Sequence, residues 1–268
     1  MKKIIFAFLL LLPFGLSSSF TVGADETDLK KLTANKEDVN SLLAAQAIFQ
    51  DQIAKNPQDY DLRIRGADNV YYLAIQLSEK AAKKSHLLQG IEWTKQAIAL
   101  QPNAPAGHFF YGILTGLYVQ MSDFFTALKS KDIIKDEMEK VVALDPHYSD
   151  GDAYIALGEW YAAVPFFMGG SDSKAKDFLL KAVEMGPNRA KPHLALAEFY
   201  SKRFKYDLAK KEIDQVLASP IDSSVAFENK RDQEDAKDLL KKIESKLSKP
   251  ARGYERVNTL TNPPGPGF

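Results

Sequence analysis

The side chains best suited to chemistry are four histidines, and their positions argue against a metal site. His86, His108, His147 and His193 lie on different predicted elements, and none has a second ligand at the spacing of a zinc site. His108 and His193 occupy equivalent places in two similar helical segments, where an aromatic side chain is expected. We therefore expect packed structural histidines and no metal ion.

The other candidate reactive groups also have simpler explanations. The stretch GGSDSK at 169–174 superficially resembles a phosphate loop, but it lacks the spaced glycine before Gly-Lys-Ser/Thr and follows a helix rather than a strand. We predict a turn here, with Ser171 or Ser173 as helix N-cap. No Gly-x-Ser-x-Gly motif occurs, and paired carboxylates such as Glu137 and Glu139 lie on charged helix faces. The sequence thus predicts no enzyme activity and no cofactor.

The segment from Gly151 to Pro187 has the residue pattern of a helical repeat. It has an aromatic residue, Leu-Gly and Tyr at helical spacing, then Ala, a large apolar residue, Ala and Pro: Tyr154, Leu157, Gly158, Tyr161, Ala175, Leu179, Ala182 and Pro187. This order is typical of a tetratricopeptide repeat (TPR), a helical hairpin. Such a hairpin cannot bury its apolar face alone, so neighbouring copies must cover it.

Further copies surround this segment. Prolines 102, 146, 187 and 220 each follow an apolar helix end, whereas the first two intervals, Pro57–Pro102 and Pro102–Pro146, exceed the usual length of about 34 residues. A single helix at about 39–55 caps the start, and a charged helix at about 229–246 caps the end. We predict an all-α fold, a right-handed TPR-type superhelix of stacked helical hairpins with a C-terminal capping helix.

The N-terminal segment predicts that the protein is located outside the cytoplasm. Lys2 and Lys3 precede an apolar run at 4–16 and a small, polar stretch ending at Ala24, which indicates a signal peptide at 1–24. A retained membrane anchor is the alternative, but the run is shorter than about 20 residues and contains Pro13. We predict a flexible leader at 25–37, a TPR-like helical domain at 38–247 and a disordered tail at 248–268. The protein is expected to be periplasmic or secreted, with no transmembrane segment after cleavage.

The cysteine count and the net charge limit the kinds of attachment and partner that the sequence allows. No cysteine is present, so lipid attachment at cysteine and disulfides are impossible. Without residues 1–24 the chain has 33 basic and 35 acidic residues. That balance gives no electrostatic case for binding nucleic acid or an anionic membrane surface.

The concave groove is the remaining candidate for function. In a TPR array it is lined by fixed positions of the first helix of each hairpin. The apolar end of the groove gives predicted ligand-binding residues Tyr71, Tyr72, Phe109, Ile113 and Leu117. The charged end gives predicted partner-binding residues Asp152, Glu159, Lys191 and Glu198. Alternatively, long helices and the inserted pair Phe124-Phe125 fill the groove, or that pair makes a homo-oligomer contact.

Four stretches carry a narrower resemblance: YDLRIRGADNVYYLA at Tyr60, HFFYG at His108, LDPHYSDGDAYIALGEWY at Leu144 and VPFFMGGSDSKAKDFLLKAVEMGPN at Val164. The chain resembles the periplasmic T-component of TRAP transporters and the related regulator of microtubule dynamics family. The resemblance implies a helical protein with a cleft or pore for a hydrophobic or organic-acid ligand, which partners the solute-binding protein of a carrier. The chain departs from the lipoprotein form of that family because it has no cysteine. The alternative is a non-catalytic TPR scaffold for protein–protein interaction in cell-envelope assembly.

Overall fold

The computed structural model describes residues 26–222 and 225–248, which fold into α-helices joined by short turns. The predicted signal peptide and nearly all of the predicted tail lie outside these residues. The helices are α1 (Glu26–Ala34), α2 (Val39–Lys55), α3 (Tyr60–Gln76), α4 (Lys80–Leu100), α5 (Pro105–Val119), α6 (Phe124–Leu144), α7 (Asp152–Ala163), α8 (Asp172–Met185), α9 (Ala190–Lys202), α10 (Tyr206–Ala218) and α11 (Ala226–Leu247). None of the described helices is long and apolar enough to cross a membrane.

Within these residues the helices form four antiparallel hairpins, α3–α4, α5–α6, α7–α8 and α9–α10, and each packs on the next. The first helices of successive hairpins also touch, as α5 packs on α3 and α9 packs on α7. This is the predicted all-α, TPR-type superhelix. The second helices α4 and α6 have 21 residues each, against 14 and 13 in α8 and α10, so they account for much of the extra length of the first two repeats.

Small residues let the two helices of a hairpin approach closely. A Cβ atom built on Gly158 of α7 would lie 2.6 Å from Cγ of Leu179 and 3.1 Å from the carbonyl oxygen of Ala175, both on α8. A Cβ on Gly112 of α5 would lie 2.2 Å from Cε of Met138 on α6. Gly158 therefore sets the depth to which α8 packs into α7, whereas at Gly112 the end of the Met138 side chain occupies the space that a Cβ would need.

The segment predicted as a flexible leader is instead ordered, and this prediction was wrong. Residues 26–34 form α1, which packs on α2 and buries Leu29 completely in the core formed with α2, α3 and α4. Arg65 of α3 forms an ion pair with Glu26 at 2.7 Å. The apolar side chains that α1 presents to the core are few, so the sequence pattern of this short helix is weak.

The last helix closes the core as predicted. Ala236 and Ile243 of α11 are fully buried, and Leu239 and Leu240 pack beside them on the cluster formed by α9 and α10. The predicted capping helix therefore exists, although it begins at Ala226, three residues before the predicted start.

Candidate functional site

The two ends of the superhelix touch each other. The Tyr72 hydroxyl on α3 donates a hydrogen bond to Glu228 on the first turn of α11, and Lys36, before α2, donates to the same carboxylate at 2.9 Å. Burial and the negative charge of Asp68 raise the pKa of Tyr72. Burial works against ionisation of Glu228, but the hydrogen bonds from Tyr72 and Lys36 hold its pKa below the ordinary value. We call Lys36, Tyr72 and Glu228 the closure contact.

Apolar packing supports the closure contact. Phe227 packs against the cluster of Leu42, Tyr72 and Leu73, with its ring 6.1 Å from that of Tyr72. Lys36 also lies over the Tyr72 ring, 4.1 Å from its centroid. Because α11 contacts α3 at its start and packs on α9 and α10 further on, it lies across the concave face, which we call the interior.

The predicted ligand-binding residues lie together on α3 and α5 but differ in accessibility. Tyr71, Ile113 and Leu117 are partly buried. Tyr72 is buried in the closure contact. Phe109 is buried, with its ring 5.4 Å from Phe110 and 5.3 Å from Tyr148. Tyr71, Ile113 and Leu117 thus remain the apolar groups that the interior can present.

Two of the predicted partner-binding residues form an ion pair. Asp152, on the first turn of α7, is buried, and it accepts from Lys191 of α9 at 2.6 Å and from Arg189 at 2.9 Å. Burial opposes its ionisation, yet Lys191 and Arg189 outweigh that cost and hold the pKa of Asp152 below its ordinary value. Asp152 and Lys191 are therefore tied to each other and fix α7 against α9.

The other two, Glu159 and Glu198, are close enough to repel each other. Solvent reaches the Glu159 side chain, but the surrounding concave wall desolvates it and the charge of Glu198 adds to the effect, so its pKa is raised. Glu198 pairs with Lys202 at 3.4 Å, so Glu159 is the carboxylate of the two that most favours a further positively charged group opposite it.

The two predicted groups of residues share one interior. Burial raises the pKa of Tyr71, while the charges of Lys191 and Arg231 act against that shift. Helix α3 therefore lies within electrostatic range of α9 and α11, across the interior. The apolar and charged ends of the groove are neighbours because the superhelix closes.

Two interior carboxyl groups, Asp68 and Asp232, did not appear among the predicted site residues. Burial raises the pKa of each to about 6. At Asp68 the charge of Lys36 opposes this rise and that of Glu228 adds to it. At Asp232 the charge of Lys191 opposes the rise and that of Asp235 adds to it. Asp68 occupies a groove position of its repeat, so the sequence offered a signal for it. Asp232 lies on α11, outside the repeats, and no periodic position identifies it.

The two histidines at the equivalent repeat position have the same contacts. Nδ1 of His108 lies 2.5 Å from Oε2 of Glu137, and Nδ1 of His193 lies 2.7 Å from Oε2 of Glu212. In each ring Nε2 faces the carbonyl oxygen of the proline that precedes the repeat, at 2.8 Å for His108 and 3.0 Å for His193. They are structural histidines, as predicted.

The remaining sequence candidates have structural explanations. Glu137 was expected on a solvated face, and this was wrong, because it is buried beside His108. The Ser171 side chain accepts from the backbone N–H of Lys174 and caps α8, as predicted for the GGSDSK turn. Within residues 26–222 and 225–248, no group of His, Asp and Glu is arranged to hold a metal ion. Surface depressions of about 560 and 450 Å³ lie along α6, away from the predicted site residues.

Comparison with known families gives two overlapping matches. Residues 95–246 match the TRAP transporter T-component family, and residues 24–165 match the family of regulator of microtubule dynamics protein 1-3. No curated protein matches the chain.

Solved structures give the fold. TTC0263, a thermophilic TPR protein of Thermus thermophilus, superposes with a TM-score of 0.56 at 17% identity, over 78% of this chain and 97% of its own. MamA from Desulfovibrio magneticus RS-1 has a TM-score of 0.46 at 15% identity, over 78% and 98% of the two chains. At these identities the match to TTC0263 supports the TPR fold alone.

Proposed function

The chain belongs to the TRAP transporter T-component family, and from this premise we propose that it is a non-catalytic periplasmic binding protein. It holds a small hydrophobic or organic-acid ligand in the interior of the superhelix. It also docks the solute-binding protein of a carrier.

The observation that carries this proposal is the closure contact, because it holds α11 across the concave groove and so covers part of it. Such cover lets a small ligand bury more of its surface than a shallow concave face alone allows. The apolar part of the ligand packs on Tyr71, Ile113 and Leu117. An acidic group on the ligand is attracted by Lys191, whose pKa is raised chiefly by Asp152 and which therefore stays cationic at neutral pH.

The partner docks on the charged part of the same concave face, where solvent reaches Glu159. Glu159 and Glu198 repel each other, so a Lys or Arg of the partner placed between them relieves that repulsion. Asp152 and Lys191 hold α7 and α9 in register beneath these carboxylates. Ligand and partner thus meet on one wall, as delivery of a ligand to a carrier requires.

The ligand is tested by native mass spectrometry of the full chain purified from cells. We expect a bound small molecule that is retained in Tyr206→Ala, a change to a partly buried tyrosine on α10, and lost in Tyr71→Ala. Absence of any bound molecule from the unmodified chain, or equal loss in both variants, contradicts the ligand proposal.

The partner is tested by pull-down with the double charge reversal Glu159→Lys/Glu198→Lys. The control is Asp214→Lys/Glu244→Lys, which reverses two exposed acids on α10 and α11. We expect a solute-binding protein to be captured by the unmodified chain and the control but not by the first variant. Capture of envelope assembly proteins alone rejects this proposal and supports the scaffold function.

A further inference from the structure

Five phenylalanines project into solvent from the turns that join the first and second helices of three hairpins. Phe124 and Phe125 lie at the α5–α6 turn, Phe166 and Phe167 at the α7–α8 turn, and Phe204 at the α9–α10 turn. Their exposed fractions are 67%, 72%, 89%, 85% and 75%, the highest of any large apolar side chains in the described residues. We call this row of turns the aromatic edge.

Direct contacts show that neighbouring turns of the aromatic edge are adjacent in space. Nε1 of Trp160, at the end of α7, donates to the carbonyl oxygen of Lys131 near the start of α6 at 2.6 Å. Arg203 of the α9–α10 turn pairs with Asp172 at the start of α8 and donates to the carbonyl oxygen of Ala162 at 3.0 Å. The three turns therefore lie side by side along one edge of the superhelix.

The α7–α8 turn holds its two rings outward on a fixed backbone. The carbonyl oxygen of Pro165 accepts from Met168 at 2.9 Å and from Gly170 at 3.1 Å. Gly169 has φ of 103°, and a Cβ on Gly170 would lie 1.6 Å from the carbonyl oxygen of Val164, so both positions require glycine. An ordered loop of this kind presents Phe166 and Phe167 without the freedom to fold them onto the protein.

Phe204 is held outward at a backbone cost. Its φ of 58° lies in the left-handed region, which disfavours residues with a Cβ and where glycine is the usual occupant. A bulky, exposed phenylalanine at such a position does not serve stability. Its presence indicates a role at the surface.

Positive charge is concentrated on the same edge. The three turns of the aromatic edge, with the first two turns of each second helix (120–131, 164–179 and 203–213), contain eight Lys and Arg against five Asp and Glu. The whole chain has 35 of each. The overall charge balance gave no reason to expect binding to an anionic membrane surface, but this edge carries more basic than acidic residues.

We propose that the aromatic edge docks the protein onto an anionic lipid bilayer. Aromatic rings at loop tips insert into the interfacial region, while surrounding lysines reach the lipid phosphates. A protein partner fits the geometry less well, because the centre of a protein interface is depleted of charge and here each turn carries cations beside its rings. The role is independent of the ligand and the carrier partner, since it uses the edge of the superhelix formed by these turns rather than its interior.

The test is co-sedimentation of the full chain with phosphatidylcholine vesicles, with and without about a third of phosphatidylglycerol. We expect strong binding to the anionic vesicles and weak binding to pure phosphatidylcholine. Phe166→Ser/Phe167→Ser is expected to reduce the vesicle partition coefficient about tenfold or more, because two rings lose their insertion. Lys176→Glu/Lys205→Glu, at two exposed lysines of the edge, is expected to reduce binding to the anionic vesicles only.

The matched control is Leu144→Ser/Ile221→Ser, which removes two exposed apolar side chains from the opposite end of the hairpins. Circular dichroism confirms that each variant is folded, and the control is expected to bind vesicles like the unmodified chain. No sedimentation of the unmodified chain with either vesicle overturns the proposal, as does an equal loss in the control. Loss of protein capture by the Phe166/Phe167 variant, without any vesicle binding by the unmodified chain, assigns the edge to a protein partner instead.

Discussion

The hydroxyl of Tyr72 donates a hydrogen bond to the carboxylate of Glu228, which lies 156 residues further along the chain. This bond joins the first complete hairpin to the capping helix. It distinguishes the molecule from an open repeat array, in which each repeat contacts only its neighbours. The position of α11 across the concave face, on which the ligand proposal rests, depends on it.

Removing that bond is expected to loosen the closure. Tyr72→Phe deletes the hydroxyl and leaves Glu228 with fewer partners, so we expect a loss of about 1–2 kcal/mol in the free energy of unfolding. Urea denaturation measures this loss, and small-angle scattering is expected to show a larger radius of gyration. The control, Tyr206→Phe on α10, is expected to change stability by less than about 0.5 kcal/mol. An equal effect of the two substitutions would mean that the closure contact has no special role.

Asp68 and Asp232 are expected to make the protein more stable in mild acid. Their folded-state pKa of about 6 lies above the ordinary 3.8, so the folded chain binds more protons than the unfolded chain between these values. Their contribution therefore increases as pH falls from about 7 towards 4. Asp68→Asn removes a charge that is costly at neutral pH and is expected to raise stability at about pH 7.5 by about 1–2 kcal/mol.

Urea unfolding of Asp68→Asn at several pH values checks this prediction. The variant is expected to lose part of the pH dependence, and Asp68→Asn/Asp232→Asn more of it. Asp214→Asn, at an exposed carboxylate of α10, serves as control and is expected to leave the pH profile unchanged. A destabilised Asp68→Asn at neutral pH would show that the ionised carboxylate is favourable in the interior.

The His193–Glu212 pair acts in the same direction at higher pH. The hydrogen bond to Glu212 raises the pKa of His193 above its ordinary 6.5, so its contribution to stability is complete below that value. The contribution disappears as pH rises through the folded-state pKa. Glu212→Gln is expected to cost about 1 kcal/mol near pH 6 and less near pH 9. Unfolding measurements and an NMR titration of the imidazole at each pH test this, and a cost that does not vary with pH contradicts it.

The sequence predicted the repeats well because their signals are local. The small residue at Gly158, the Leu179 side chain that faces it on α8 and the proline after each hairpin are set by packing within one repeat. The groove positions were assigned from the same register, and Tyr71 and Lys191 are among them. Their proximity across the interior could not be predicted from the register, because it depends on the total curvature accumulated over several repeats.

Features outside the repeat register were the ones missed. The burial of Leu29 and the return of Glu228 to Tyr72 are contacts between the ends of the chain, and no periodicity encodes them. Similarly, composition counts charges without position. It could not reveal that Lys176 and Lys205 share one edge with the exposed phenylalanines.

Gly158 is expected to tolerate no side chain. Gly158→Ala places a Cβ 2.6 Å from Leu179 Cγ, so the α7–α8 hairpin must open, and we expect a loss of about 1–3 kcal/mol. Gly116→Ala on α5 is the matched control, because its Cβ would meet only Ile134, at 3.9 Å. That control is expected to gain about 0.5–1 kcal/mol, since alanine favours a helix interior over glycine. Thermal unfolding of both variants decides the matter, and a stabilised Gly158→Ala contradicts the packing argument.

Phe204 is expected to lower the free energy of unfolding while contributing to vesicle binding by the aromatic edge. Phe204→Gly relieves a left-handed backbone conformation and is expected to raise the free energy of unfolding by about 1 kcal/mol. The same variant is expected to bind anionic vesicles more weakly, because one inserting ring is gone. Phe125→Gly, inside the first turn of α6, has no such strain to relieve and is expected to lower both stability and vesicle binding. If Phe204→Gly is instead less stable than the unmodified chain, the ring stabilises its own turn, and the strain at this position gives no support to a surface role.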